Sequence, residues 1–447
     1  MSRSRAGLGP NSGFPLPVDT PNLAATLHGA GYRTMLVGKD HLFGPEGLAR
    51  HFDLAIRYDH AGRLPDDGVD VDERERAVRA ARHGRFGERF IDHEEHGVEH
   101  APTRRMTTAA IDAVRDAHGR GEPFFLWLSY PDPHPPYVVA EPYASMYRDQ
   151  DVGEPATRPG ELDDKPLRQR TSRRLMGVEE YTPGELWHLR QIYYGMVSFV
   201  DDAVGRFVAA LQDEEIEEET IVVFMSDHGD YLGDHGMVRK SPAMYDCLVR
   251  VPLFVRWPGH IPPARVAGTL VESIDLASTL LELCHLPPLP GDEGTSLVPL
   301  LLGQTNVHKD KVFGLYGSEG EAYTEAGIDA TDLDALAGTQ HPWMRSLAMR
   351  GRMAMVRTAD WKLVHYRGGE GELYDLRADP DEMVNRYSDA ASAPVRAELT
   401  ATLVDFLLAT VPPALTDQFD IPPRDWERQP APGPQPAAVG SRSSAPG

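Results

Sequence analysis

Cysteine is scarce: the 447 residues include two, Cys247 and Cys284, each in an apolar segment. Two thiols make no disulfide framework, so the fold must rest on its core, and both are expected as buried free thiols. No apolar run is long enough to span a bilayer. The first residues, MSRSRAGLGPNSG, lack the apolar centre of a secretory leader, so the chain as written reads as cytoplasmic. Positive charge is also in short supply, with 45 Lys and Arg against 68 Asp and Glu and a formal net charge of -23. That balance excludes nucleic acid and an anionic membrane as expected partners. It does not exclude a small anion, because a few lysines focused in one cleft set the field there.

What is present begins with a hydrophobic fraction of 41%, enough for a large core and, at this length, for one large domain with a smaller second one. Thr20 and Pro21 read as a helix start, with apolar positions through Leu27 and a stop at Gly29 and Gly31. Apolar runs at Arg33 to Val37, Phe124 to Tyr130, Ile221 to Met225 and Val251 to Trp257 read as strands. The run at 221 suits a strand buried on both faces of a parallel sheet. Helices are expected near Thr107 to Ala117, from a capping box at Thr182, Pro183 and Glu185, and over Asp275 to Leu283. Residues 58 to 105 read as a polar insertion and 150 to 180 as charged loop. The alternation predicts a doubly wound, mostly parallel α/β domain over residues 1–305. Short strands at Met353 to Arg357, Trp361 to Tyr366 and Glu372 to Leu376, with a helix near Pro394 to Ala409, predict an α+β subdomain over residues 306–421. The tail, 422–447, is rich in Pro, Ala, Gly and Ser and reads as disordered.

Chemistry-bearing residues gather where three of these strands end. Gly38, Lys39, Asp40 and His41 follow the first, His134 follows the second, and Ser226, Asp227, His228 and Gly229 follow the third, with Lys240 returning on a glycine-rich loop. Ligands of open α/β sheets bind at that carboxyl edge. Three histidines of the insertion, His93, His96 and His100, superficially suggest a zinc-protease helix, but the second comes one residue too soon for HExxH. A solvated loop is the expectation for them.

GYRTMLVGKDHL at Gly31 to Leu42, FFLWLSYPDPHPPY at Phe124 to Tyr137 and IVVFMSDHGDYLGDHGMVRK with its continuation KSPAMYDCLVRVPLFVRWPG together resemble the sulfatases of the alkaline phosphatase superfamily. WKLVHYRGGEGELYDLRADPDE at Trp361 to Glu382 is similar to the carboxyl-terminal subdomain of that family. The resemblance implies metal ligands at Asp227 and His228, oxyanion-neutralising lysines at Lys39 and Lys240, and acid/base histidines at His41 and His134. It implies a divalent metal, calcium first by family; a hard oxygen-lined site favours calcium or magnesium, whereas an imidazole ligand makes manganese or zinc more plausible. It implies a sulfate ester, small or carbohydrate, as substrate. Asp230, Asp234 and His235 are expected to shape the loop.

The chain departs from the family ahead of Lys39. Members begin with an apolar strand ending in two acidic ligands, and a C/S-x-P-x-R motif follows whose Cys or Ser becomes the formylglycine nucleophile. Here that region holds neither, and the nearest text is MSRSR at Met1 to Arg5. Two readings follow: a sulfate-ester hydrolase whose nucleophile is missing from this chain, or a non-catalytic protein that keeps the anion pocket. Among hydrolases, a phosphonate or phosphate-ester hydrolase of the same superfamily is the runner-up. A central strand missing from a sheet exposes a pairing edge, so the chain as written is expected to aggregate readily.

Overall fold

RTMLVG forms the first strand, β1 (Arg33–Gly38), with Met35, Leu36 and Val37 wholly buried. In this computed structural model, which describes residues 15–58, 97–176, 178, 181–263, 267–316 and 351–409, β1 is central to a three-stranded parallel sheet. Its neighbours are β2 (Leu54–Arg57) and β3 (Phe124–Ser129), with Met35 opposite both Leu54 and Leu126. Helices cover both faces. Leu36 packs with Ala24 of α1 (Leu23–Gly29) and with Leu48 of α2 (Pro45–His51). Met35, on the other face, packs with Ala113, Val114 and Ala117 of α3 (Pro102–Gly119). A strand covered on both sides has no reason to alternate, hence its continuous apolar text.

Helix starts differ from expectation by a few residues. Asn22, rather than Thr20, caps α1, its side chain accepting from Ala25 N at 2.8 Å. α3 begins at Pro102, so the end of the expected insertion is already helical. His100 lies exposed in a short turn at Val98–His100, while His93 and His96 lie outside the described residues. The expected loop at 150 to 180 contains a helix, α4 (Leu167–Met176). It carries no hydrophobic stripe because its buried residues are polar: Arg168, Gln169, Thr171 and Ser172. The long helix α5 (Pro183–Asp213) starts as read, with Thr182 and Glu185 bonded reciprocally.

The strand expected at 221 is a correction. β4 (Val222–Met225) pairs antiparallel with β5 (Leu253–Arg256), Phe224 opposite Phe254, in a separate two-stranded sheet. Its residues are half-buried, and Met225 is exposed. Phe254 on β5 is 65% exposed, so this pair is not covered by helices on both faces as the apolar text suggested. Val222 nevertheless joins the cluster of Met35, Phe124 and Leu126, which ties the two sheets together. α6 (Asp246–Val249) leads into β5, and α7 (Asp275–Leu283) with α8 (Val298–Leu301) packs on Val223 and Leu253.

The carboxyl-terminal sheet is antiparallel, in the order β6 (Lys311–Tyr316), β7 (Met353–Thr358), β8 (Trp361–Tyr366) and β9 (Gly371–Asp375). The expected three strands are joined by β6, and α9 (Ala393–Ala409) follows. The fold class is therefore α/β with a helix-flanked parallel sheet and a carboxyl-terminal antiparallel sheet plus helix. By its contacts the chain divides into residues 1–404 and 405–447, and of the latter only Asp405 to Ala409 are described. The tail expected to be disordered lies outside the described residues. Cys247 and Cys284 are free, as read, and half-buried rather than buried.

Lys362 on β8 is fully buried and reaches two carboxylates, Asp246 of α6 and Glu382, the latter at 2.6 Å. Arg357 of β7 adds a second cation to Asp246 at 3.1 Å, and Asp246 N donates to Glu382. Burial pushes the Glu382 carboxyl up, partly offset by Lys362, whereas Lys362 and Arg357 hold Asp246 below its usual range against its own desolvation. Replacing Lys362 strands a buried carboxylate, so Lys362→Met is expected to cost about 3–5 kcal/mol of stability at neutral pH. A carboxyl raised in the folded state favours folding as it protonates, so the deficit of Lys362→Met relative to the parent narrows as pH falls toward 5. Urea melts at pH 7.5 and 5 check this, and a deficit that widens at pH 5 contradicts it.

Candidate active site

Backbone contacts bring the ends of β1 and β3 together. Gly38 has φ +116°, and a Cβ there would lie 2.1 Å from Ser129 O, so only glycine lets these ends approach. Lys39 N then donates to Ser129 O at 3.0 Å. Asp40 fixes the next turn: its buried Oδ1 accepts from Leu42 N at 2.8 Å and Phe43 N at 3.0 Å. This Asx-type turn holds Lys39 and His41 on either side of it.

The end of β4 is set by a second close approach. A Cβ on Gly229 would lie 2.0 Å from Cys247 O, and Gly229 N donates to Leu248 O at 2.8 Å. Asp227 and His228 therefore leave β4 along α6. His228 Nδ1 donates to Gly229 O at 2.7 Å, which leaves Nε2 to meet Lys240 Nζ at 2.6 Å. Asp227 Oδ2 is 3.7 Å from the same Nε2. His134, whose Nδ1 donates to Pro135 O at 2.7 Å, has its ring centroid 6.3 Å from that of His228.

Electrostatics place the remaining pair in the same cluster. Burial lowers the Lys39 ammonium from its ordinary value, and Asp227 opposes that shift. Burial likewise lowers Lys240, with Lys39 adding to the effect and Asp227 and Asp230 opposing it. His41 lies exposed at the rim, yet the surrounding protein and the charges of Lys39 and Lys240 hold its imidazole down, against Asp40 and Asp227. Desolvation pushes Asp227 up, but His228, Lys39 and Lys240 outweigh it and hold the carboxyl low. Asp227, His134, His228 and Lys240 are thus gathered by contacts around the His228 ring, and Lys39 and His41 are linked to Asp227 and Lys240 through their charges.

Asp227 and His228 fit a divalent metal in part. A carboxylate and an imidazole are suitable donors, and a 3.7 Å gap between donor atoms is within the span of one ion with bonds of about 2.0–2.4 Å, but His228 Nε2 would first have to release Lys240 Nζ, which meets it at 2.6 Å. The Asp227 side chain is 75% exposed and open to a solvated ion. Among the described residues no group of three His, Cys, Asp or Glu side chains could hold a metal, so the pair alone is not a closed shell.

Asp230, Asp234 and His235 serve the loop. Asp230 accepts from Tyr137 Oη at 2.8 Å and Leu232 N at 3.0 Å, Asp234 from Ala156 N at 2.9 Å, and buried His235 bonds Glu161 at 2.6 Å while stacking on Tyr245. Sequence reasoning assigned no role to Asp40, Tyr137 or Asp246, although each fixes part of the site; for Tyr137 and Asp246 no local signal marks partners so far apart in the chain, whereas the turn that Asp40 closes with Leu42 and Phe43 is local. It also passed over Ser392 to Arg396, SAPVR, which has the C/S-x-P-x-R spelling. That stretch begins α9: Ser392 N bonds Asp389 O and Arg396 bonds Tyr387 O, both neighbours within the carboxyl-terminal region.

The sulfatase family model matches residues 1–286, and the model for the N-sulphoglucosamine sulphohydrolase carboxyl-terminal region matches residues 344–407. An uncharacterized sulfatase of Escherichia coli, YidJ, is 28% identical over 417 residues, 90% of this chain and 74% of that protein. An arylsulfatase of Clostridium perfringens is 28% identical over 290 residues, 64% of this chain, which spans about half (53%) of that relative. A solved phosphonate monoester hydrolase from Silicibacter pomeroyi shares the fold, with a TM-score of 0.73, 23% identity and coverage of 92% of this chain and 84% of that one. With a family model matched over more than half of its residues and the strand-end motifs converging in one cluster, the chain belongs to the sulfatase family.

Proposed function

We propose that the cluster is the anion-binding and proton-transfer part of a sulfate-ester hydrolase site. The observation that carries this reading is two partly desolvated lysines, Lys39 and Lys240, facing one cluster with His41, His134 and His228. Ammonium groups stripped of water attract an oxyanion more strongly than solvated ones, and a sulfuryl group in transfer spreads charge over its equatorial oxygens. Lys39 and Lys240 neutralise that charge. In such a reaction a nucleophile forms the new bond to sulfur as the ester S–O bond breaks; His134 would give its proton to the leaving oxygen, and His41 would take the proton of the nucleophile once one is supplied. Asp227 and His228 would hold two positions of a divalent metal, calcium by family precedent and otherwise manganese or magnesium, which supplies Lewis-acid charge. No residue of this chain is assigned to the nucleophile, which in the family is a formylglycine. The substrate class is a small-molecule or carbohydrate sulfate ester.

Among the described residues no helix is long and apolar enough to cross a membrane. The anion pocket is tested on the purified chain. Calorimetry with sodium sulfate is expected to give a measurable affinity, weakened about tenfold or more by Lys240→Met or Lys39→Met, as for loss of a charged hydrogen bond. No heat with the parent would sink the reading.

The metal pair has its own readout. Calcium or manganese chloride is expected to raise the Tm of the parent, since a ligand bound at 100 times its Kd adds about 2.7 kcal/mol, and to leave Asp227→Ala unchanged. Equal rises in both proteins would remove Asp227 from the ligand set.

A second reading rests on the Asp227 and His228 pair, which also suits phosphoryl transfer, and makes the protein a phosphonate or phosphate-ester hydrolase. 4-Nitrophenyl sulfate and 4-nitrophenyl phosphate share a leaving group and separate the two. Preference for the sulfate in binding and turnover is expected, and a clear phosphate preference would overturn the first choice.

A further inference from the structure

Tyr137 presents a hydroxyl that core packing does not explain. Its ring sits among Leu189, Ile192, Met196 and Phe199, a setting that phenylalanine would fill equally well. A buried hydroxyl is costly unless bonded, and this one donates to Asp230 Oδ2 at 2.8 Å. The same carboxylate accepts from Leu232 N at 3.0 Å and from the backbone N–H of Arg239. Three donors from three stretches of chain thus meet on one side chain.

The residues of this knot are close in sequence to residues of the candidate site. Tyr137 follows His134 by three positions, Asp230 follows His228 by two, and Arg239 directly precedes Lys240. The circuit closes on the far side, where Lys240 Nζ meets His228 Nε2 at 2.6 Å and the His134 ring lies 6.3 Å from that of His228. Arg239 itself has φ +62°, a conformation that non-glycine residues adopt at a cost and that surrounding bonds must hold. Its N–H bond to Asp230 and its carbonyl, which accepts from Tyr231 N at 2.8 Å, supply that restraint.

We infer that Asp230 is a positioning residue, the hub through which Tyr137 holds His134 at a fixed distance from His228 and Lys240. The bond joins the loop after β3 to the loop after β4, two segments that no shared ladder connects. Loss of the Tyr137 hydroxyl leaves both loops folded and lets them drift relative to each other. The functional consequence rests on the anion-site reading above, because only a site that clasps one small ligand from both loops depends on their spacing.

Tyr137→Phe tests this against Tyr366→Phe, which removes a matched buried bond, that of Tyr366 Oη to Glu372 at 2.6 Å, in the carboxyl-terminal sheet. Two measurements are made on the full chain: the ring resonances of 13C-labelled histidine, and calorimetric binding of sodium sulfate. Tyr137→Phe is expected to shift the His134 and His228 rings and to weaken sulfate binding about tenfold, the equivalent of one hydrogen bond to a charged group. Tyr366→Phe, with a comparable loss of Tm, is expected to leave the rings in place and the affinity within about twofold. Unmoved rings in Tyr137→Phe, or equal movement in both variants, overturn the inference. If the parent takes up no sulfate, the anion-site reading fails and the ring resonances still decide the role of Asp230. Should Tyr137→Phe not fold, Asp230→Asn, which keeps the shape and loses the charge, takes its place: shifted His134 and His228 rings support the inference and unmoved rings overturn it.

Discussion

The candidate site depends on how firmly α6 is held, and α6 is held by a buried cluster of charge. Gly229 leaves β4 only because Cys247 and Leu248 offer it a backbone seat, and those residues follow Asp246 directly. Asp246 is anchored by Lys362 and Arg357 from the carboxyl-terminal sheet, and its N–H is taken by Glu382. The positions of Asp227 and His228 are thus set from β7 and β8, more than a hundred residues later in the chain. A buried ion cluster adds little net stability compared with apolar packing, but it tolerates no substitution of one partner. Such a cluster fixes geometry more than it strengthens the fold. It explains why a sulfatase-type site comes with a carboxyl-terminal sheet that contributes none of the six candidate site residues.

The second support is polar as well. Lys165, buried, donates to Tyr374 Oη at 2.8 Å and to Glu382 O at 2.6 Å, and Gln169 of α4 donates to Glu372 at 3.0 Å. Tyr366 and Tyr374 both donate to Glu372. The segment from Glu161 to Ser172 is therefore joined to the carboxyl-terminal sheet by hydrogen bonds, and His235 ties the loop of Asp227 to Glu161. In a low-dielectric interior each such bond is directional, so the partners have one arrangement rather than many.

These same features separate what was legible in the sequence from what was not. β1, β3 and the capping box of α5 could be read because their causes are local: a continuous apolar run, or a threonine and glutamate at cap spacing. The motifs after β1 and β3 were legible because parallel pairing delivers carboxyl ends to one edge, whereas the third joins them from the separate sheet of β4. α4 was hidden because its buried face is polar, so no apolar period marks it. The antiparallel course of β4 and β5 was hidden because a run of four or five apolar residues carries no direction. Likewise, the partnership of Tyr137 with Asp230, or of Lys362 with Glu382, leaves no trace in either neighbourhood. Local chemistry marks the candidate residues, whereas the partners that hold them are known only once the chain is folded.

Charge shows the same contrast between the whole and the site. A formal net charge of -23 repels an anion at a distance, yet the cluster presents Lys39 and Lys240 to it at close range. Exposed charges farther than about 8–10 Å act weakly at physiological ionic strength, so on the anion-site proposal the exterior would govern approach and the lysines would govern binding. Burial lowers the pKa of both lysines, and by linkage an anion that prefers them charged restores part of that shift when it binds. On the anion-site proposal, the desolvation that costs the cluster free energy would also make it selective. A neutral ligand would offer two crowded ammonium groups no relief, whereas an oxyanion would compensate both at once.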